Sequence, residues 1–179
     1  IYRFNNRTLE KRGFLMRIKE TDELYEGERS YVYKDGQLQL ALEKSNELLH
    51  QFPNSITLHN LLGSIKSNFG KFDEAIGHFK KTLEIDSKYA AGFYNIALTL
   101  QTKGDSAKAI IACKQAIEIK PDFAEAHNNL GNLYYKSGSQ ALATASYKRA
   151  IKVKPDFYTA YYNLGTQQQE RGLFEKALK

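Results

Sequence analysis

Glycine recurs in this chain at a fixed interval: Gly36, Gly70, Gly104, Gly138 and Gly172 are each 34 residues apart. Alanine keeps the same interval at Ala41, Ala75, Ala109, Ala143 and Ala177. The three prolines, Pro53, Pro121 and Pro155, all fall in one slot of the period, and Ser87 fills the vacant place. No insertion or deletion breaks the phase. A period of this length marks a stack of supersecondary units, none of which can bury its apolar face alone.

Placing the prolines at position 32 divides the chain into units 22–55, 56–89, 90–123, 124–157 and 158–179. The first is degenerate in its front half. The last is partial and stops at position 22, inside a predicted helix. Residues 1–21 form a leader that is either an extra helix or disordered. The expectation is a fragment of a longer array or of a longer protein.

Each unit reads as two helices. In residues 124–157 the apolar spacing predicts helix A over 124–137, and Gly138 supplies the left-handed residue that ends it. Helix B is predicted from about 141 to 153, and Pro155 stops it. Asp156 is placed to cap the following helix. Position 8 holds Gly63, Ala97, Gly131 and Gly165, and position 27 holds Ala116 and Ala150. With the alanines of position 20, these let helices A and B approach. Leu62, Ile96, Leu130 and Leu164 at position 7, with Phe79 and Tyr147 at position 24, are expected to fill the space between units.

On these residues the chain resembles the tetratricopeptide repeat family. The period matches, and "NNLGNLYYKSG" with Ala143, Tyr147, Ala150 and Pro155 meets nearly every signature slot. The resemblance is strong over 56–179, fair over 37–55 and poor before that. It departs at the family's front-end tryptophan, where this chain has His59, Phe93, His127 and Tyr161. The resemblance implies an all-α fold, a right-handed α-solenoid of antiparallel helix hairpins. Helix A would line a concave groove and helix B the convex back. It also implies binding of peptides or protein segments rather than catalysis.

Position 6 holds Asn95, Asn129 and Asn163. An amide offers both a donor and an acceptor, which suits the backbone of an extended peptide. Packed helices are ~8–10 Å apart, so three such residues span roughly 20 Å, about six residues of extended chain. This row is similar to the asparagine ladder of O-linked GlcNAc transferases, and the repeat wording also resembles repeat-bearing sulfotransferases. The plainer alternative is that these amides bond a neighbouring turn and tune packing. Asn128, Asn132, Tyr94, Tyr162 and Tyr135 are the supporting candidates on the same predicted face. Position 5 carries Asn60, Tyr94, Asn128 and Tyr162 rather than cations, so no carboxylate clamp is expected.

Other chemistry finds little footing. Lys80, Lys114 and Lys148 recur every 34 residues, but Glu84 and Glu118 lie four residues after the first two, an ordinary solvated arrangement. His59 and His127 sit two units apart, and His50 and His78 lack partners at ligand spacing, so no metal is expected. Cys113 takes the slot of Phe79 and Tyr147 and reads as a buried thiol. No phosphate loop, nucleophile elbow or paired catalytic carboxylates occur, so no enzyme activity and no cofactor are expected.

Most of the net charge of +6 lies in the leader, where Arg3, Arg7, Lys11, Arg12, Arg17 and Lys19 face only Glu10 and Glu20. A basic leader can meet nucleic acid or acidic lipid, although a solvated tail is the simpler reading. Met16 is the sole methionine and a candidate natural start. One cysteine gives no internal disulfide, and no apolar run is long enough to span a bilayer. A cytoplasmic location and no membrane partner follow as expectations.

The function expected from the sequence is a scaffold that binds a protein or peptide in its groove. One alternative is a region that positions substrate for a glycosyltransferase or sulfotransferase domain outside this chain. Another is an RNA-binding helical repeat, which the strict 34-residue spacing disfavours. Self-association through an open C-terminal repeat, at Leu173, Phe174 and Leu178, is a further expectation.

Overall fold

The computed structural model describes residues 38–177, with no side-chain detail at residue 171 or over 173–177. The leader, Met16, Gly36 and the front half of the degenerate unit lie outside the described residues, as do the Leu173, Phe174 and Leu178 side chains. Among the described residues there are eight helices and no strand. They are α1 (Leu38–Gln51), α2 (Ile56–Asn68), α3 (Phe72–Ile85), α4 (Ala90–Lys103), α5 (Ser106–Ile119), α6 (Ala124–Lys136), α7 (Gln140–Val153) and α8 (Tyr158–Ala177). The chain divides into two compact units, one ending at Asp86 and the other beginning at Ser87. In the first, α2 packs on α1 and α3. In the second, each helix from α4 to α8 packs on the next, and α8 also meets α6.

The glycine slot ends helix A as its chemistry requires. Gly70, Gly104 and Gly138 have φ of 72°, 94° and 78°, a region costly for any residue with a Cβ. Around Gly104 the chain closes a Schellman turn: Gly104 N–H donates to Gln101 O at 3.1 Å and Asp105 N–H to Leu100 O at 2.9 Å. The same pair of bonds forms at Gly70 and Gly138. Asp105 then caps α5, its carboxylate accepting from Lys108 N–H at 3.2 Å.

Three expectations change. Gly172 does not turn left-handed; α8 runs through it to Ala177. Asp156 is not the helix cap, because α8 starts at Tyr158 and Ala160 N–H bonds Phe157 O. The preceding hinge behaves alike: Phe123, not Asp122, is the N-cap of α6, with no side-chain cap bond, and its ring stacks on Tyr94 with centroids 4.9 Å apart. The expected i+4 pairing of the helix B lysines is also replaced. Glu84 bonds Lys81 at 2.6 Å, and Lys114 Nζ lies 5.9 Å from the Tyr134 ring centroid.

Position 24 acts inside its own hairpin rather than between units. A Cβ on Gly63 would fall 2.6 Å from the Phe79 ring, and one on Gly131 would fall 2.5 Å from the Tyr147 ring. Glycine in helix A therefore opens the space that an aromatic ring of helix B occupies. In the α4–α5 hairpin the corresponding residues are Ala97 and Cys113, a larger residue facing a smaller one, both fully buried. The alanines of positions 20 and 27, Ala75, Ala109, Ala143, Ala116 and Ala150, are likewise fully buried.

Candidate functional site

The three asparagines of position 6 lie in different surroundings. Asn95 and Asn129 are each only 6% exposed. Asn129 donates from Nδ2 to Cys113 Sγ at 3.6 Å, across to α5. The small Cys113 leaves that acceptor within reach, and burial with little compensation pushes its thiol pKa up to about 11. Asn163, half-buried on α8, reaches back to α6. Its Nδ2 donates to Asn128 Oδ1 at 2.9 Å and to Asn132 Oδ1 at 3.1 Å.

Beneath this junction lies Tyr147. Its ring crosses Gly131 from α7, and its hydroxyl emerges to donate to Asn132 Oδ1 at 2.8 Å. Burial raises the phenol pKa, so it stays a donor at neutral pH. Asn132 Oδ1 thus takes one bond from each side, which fixes the amide's orientation. On the same face, the Tyr135 hydroxyl bonds the Glu170 carboxylate.

Together these groups line a cleft of about 220 Å³. Its walls are Gln101 of α4; Asn132, Tyr135 and Lys136 of α6; Tyr147; and Tyr162, Asn163 and Thr166 of α8. Tyr162 stands 74% exposed at its edge. Of the sequence candidates, Asn132, Tyr135, Tyr162 and Asn163 are brought together here. Asn95, Asn129, Asn128 and Tyr94 are not among its lining residues: the first three are buried, and Tyr94 stacks on Phe123. Lys136 and the Tyr147 hydroxyl were not anticipated. For the latter there was a signal, a hydroxyl-bearing ring in a slot that elsewhere holds Phe79 and Cys113.

The histidines of position 4 share one arrangement. His59 Nε2 lies 3.0 Å from Pro53 O, and His127 Nε2 lies 3.0 Å from Pro121 O. A carbonyl only accepts, so Nε2 carries the proton in both. The reading of His78 as partnerless is corrected by the fold: His78 Nδ1 lies 3.2 Å from His59 Nδ1. The two are 19 residues apart, and only the return of helix B onto helix A makes them neighbours. Burial first, then the neighbouring His59, lowers the His78 pKa. Burial likewise lowers that of His127, with Arg149 adding to it and the Pro121 carbonyl opposing.

Comparison with known proteins agrees with this architecture. Family models described as "TPR repeat" match residues 102–138 and 131–172, and one described as "Tetratricopeptide repeat" matches 56–89. The chain belongs to the tetratricopeptide repeat family, whose fold class is the α-solenoid. Among solved structures, one described as the crystal structure of MamA is similar at 25% identity and a TM-score of 0.68. The alignment covers 87% of this chain and 91% of that one. The first TPR of Spaghetti (RPAP3), bound to HSP90 peptide SRMEEVD, aligns at 20% identity and a TM-score of 0.61, over 65% of this chain and 93% of its own. The Sgt2 TPR domain from Aspergillus fumigatus aligns at 16% identity and a TM-score of 0.64, over 69% and 83%. The last two show a shared fold. No curated protein sequence matches the chain. Among the described residues, no helix is long and apolar enough to cross a membrane.

Proposed function

We propose that this chain is a protein-interaction scaffold that holds an extended peptide, or an extended segment of a partner, against the helix A face of residues 90–177. The observation that carries this reading is the cleft of amide and phenol groups contributed by α4, α6 and α8. An extended backbone presents alternating donors and acceptors, and Gln101, Asn132, Asn163 and Thr166 can meet both. Most of the lining is uncharged, which suits recognition of peptide backbone more than of a charged side chain. A chain of the same fold is solved with a bound HSP90 peptide, which supports a peptide as the partner class.

Asn163, Asn132, Tyr162 and Tyr135 carry the contact in this reading. Asn95, Asn129 and Asn128 hold the helices that present it, and Tyr94 packs the adjoining rim. The scaffold does no chemistry of its own. Any substrate-positioning role for a transferase domain would use the same cleft.

An immobilised array of random peptides tests the proposal. Tyr162→Ala with Thr166→Ala removes exposed and half-buried groups and should leave the helical circular dichroism intact while lowering array binding. An unchanged array pattern in that variant would falsify the reading. Asn95→Ala with Asn129→Ala and Asn163→Ala is a less selective reagent, because two of its sites are buried and should cost stability.

A further inference from the structure

We infer that His59 and His78 form a binding site for a late first-row divalent cation, such as Zn²⁺, Ni²⁺ or Cu²⁺. Their Nδ1 atoms lie 3.2 Å apart, one on α2 and one on α3. Two imidazole nitrogens on a tetrahedral metal, each ~2.0–2.1 Å from it, are held about 3.3 Å apart. The separation matches the bite of such an ion, but the rings now face each other nearly head-on, with centroids 5.5 Å apart, so each must swing about its side-chain torsions for both lone pairs to converge on the metal.

The surroundings support the same assignment. His59 donates its remote Nε2–H to Pro53 O at 3.0 Å. Neutral His59 then keeps its lone pair on Nδ1, facing His78. A backbone carbonyl behind the remote nitrogen is the usual support of a metal-bound imidazole, fixing both tautomer and ring plane. In the metal-free pair, the His78 Nδ1–H donates to that lone pair. On binding, His78 shifts its proton from Nδ1 to Nε2 through solvent, so both rings enter neutral and no net proton is released.

The charged groups facing the pair are Lys66 on α2 and Glu74 on α3. They lie 2.6 Å apart and neutralise each other, so the site presents no net positive charge to an incoming cation. His78 is half-buried, which leaves one side open to water. Among the described residues no group of three or more His, Cys, Asp or Glu gathers as ligands. Water fills the remaining positions, so the site is exchangeable rather than structural. Imidazole nitrogens place copper first in affinity and leave magnesium unbound.

The test uses the full, untagged chain at slightly alkaline pH, titrated separately with Zn²⁺, Ni²⁺, Cu²⁺ and Mg²⁺ by calorimetry. Zn²⁺ should bind once per chain, Cu²⁺ more tightly, and Mg²⁺ not at all. Ring-proton NMR with Zn²⁺ should move the His59 and His78 signals and leave those of His50 and His127 in place. His78→Gln should weaken binding at least about tenfold, the range seen when a metal site loses supporting contacts, and His127→Gln should not. His59 is buried, so its variant serves only if circular dichroism shows it folded; the His78 variant and the NMR readout decide otherwise. Absence of binding at millimolar Zn²⁺, or shifts confined to His50 or His127, overturns the assignment.

Discussion

The α2–α3 and α6–α7 hairpins share a backbone plan and put the same slots to different uses. Both begin with a histidine whose Nε2 bonds the preceding proline carbonyl at 3.0 Å. Both place a ring across a glycine, Phe79 on Gly63 and Tyr147 on Gly131. In α6–α7 that ring ends in a hydroxyl, which emerges at the cleft and holds Asn132. In α2–α3 it ends in carbon. Position 23 inverts the contrast. It is His78 in α3, facing His59, but Ser146 in α7, whose hydroxyl turns back to Leu142 O. The repeat thus fixes where a side chain goes, while the side chains substituted at positions 23 and 24 decide whether the hairpin offers an imidazole pair or a hydroxyl that holds the amide network.

The size pairing of positions 8 and 24 is the part of this comparison most easily broken. Gly131→Ala drives a Cβ to within 2.5 Å of the buried Tyr147 ring, and overpacking of this kind costs about 1–3 kcal/mol. Urea unfolding should show that loss, and Gly63→Ala should show a similar one against Phe79. Adding Tyr147→Cys to Gly131→Ala recreates the Ala97–Cys113 pairing of the α4–α5 hairpin and should recover part of the stability. A neutral Gly131→Ala would mean that the ring relaxes freely and the size pairing is incidental.

Tyr147→Phe makes α6–α7 resemble α2–α3. It removes one hydrogen bond to Asn132, at an expected cost of about 0.5–1.5 kcal/mol. It should also lower peptide retention on the array, because Asn132 loses the bond that fixes its orientation. Stability loss without any change in binding would separate the hydroxyl from the cleft's function.

Acid should weaken the hold of His127 more gently. The folded-state pKa of His127 lies below the ordinary 6.5, chiefly because of burial. Between these two values the unfolded chain binds the proton more readily. The stability contribution is therefore complete above about pH 6.5 and declines as pH falls through the folded pKa. Denaturant midpoints measured from neutral to mildly acidic pH should fall, and His127→Gln should flatten part of that slope. An unchanged slope in the variant would place the acid sensitivity elsewhere.

The smallest perturbation is chemical labelling of Cys113. With its pKa raised to about 11 and its side chain fully buried, the thiol should stay unmodified by a disulfide reagent at neutral pH in the folded chain. Reaction at the unfolded rate would show that α5 opens readily and that the bond from Asn129 does not hold.

The hairpin plan was legible in the sequence because the signals that set it are local. Glycine at Gly70, Gly104 and Gly138 tolerates a left-handed turn wherever it stands, and the alanine slots identify the close-packed faces without reference to a partner. The cleft was only partly legible. Asn129 and Asn163 share a slot and a residue type, yet one is covered and the other bridges α8 to α6. That difference depends on what lies opposite each: Cys113 on α5 in one case, Asn128 and Asn132 on α6 in the other.

By itself, the sequence determined the period, the bounds of the two helices of residues 124–157 to within a residue or two, the family, and which positions had to be small. Those follow from backbone conformation and from a repeating pattern of side-chain size, and both can be read along a line. Only the tertiary structure decided that His78 meets His59, that the Tyr147 hydroxyl reaches Asn132, and which amides line the cleft. Those outcomes turn on distances of about three ångströms between residues that are distant in the chain, and such distances exist only once helix B has folded back onto helix A.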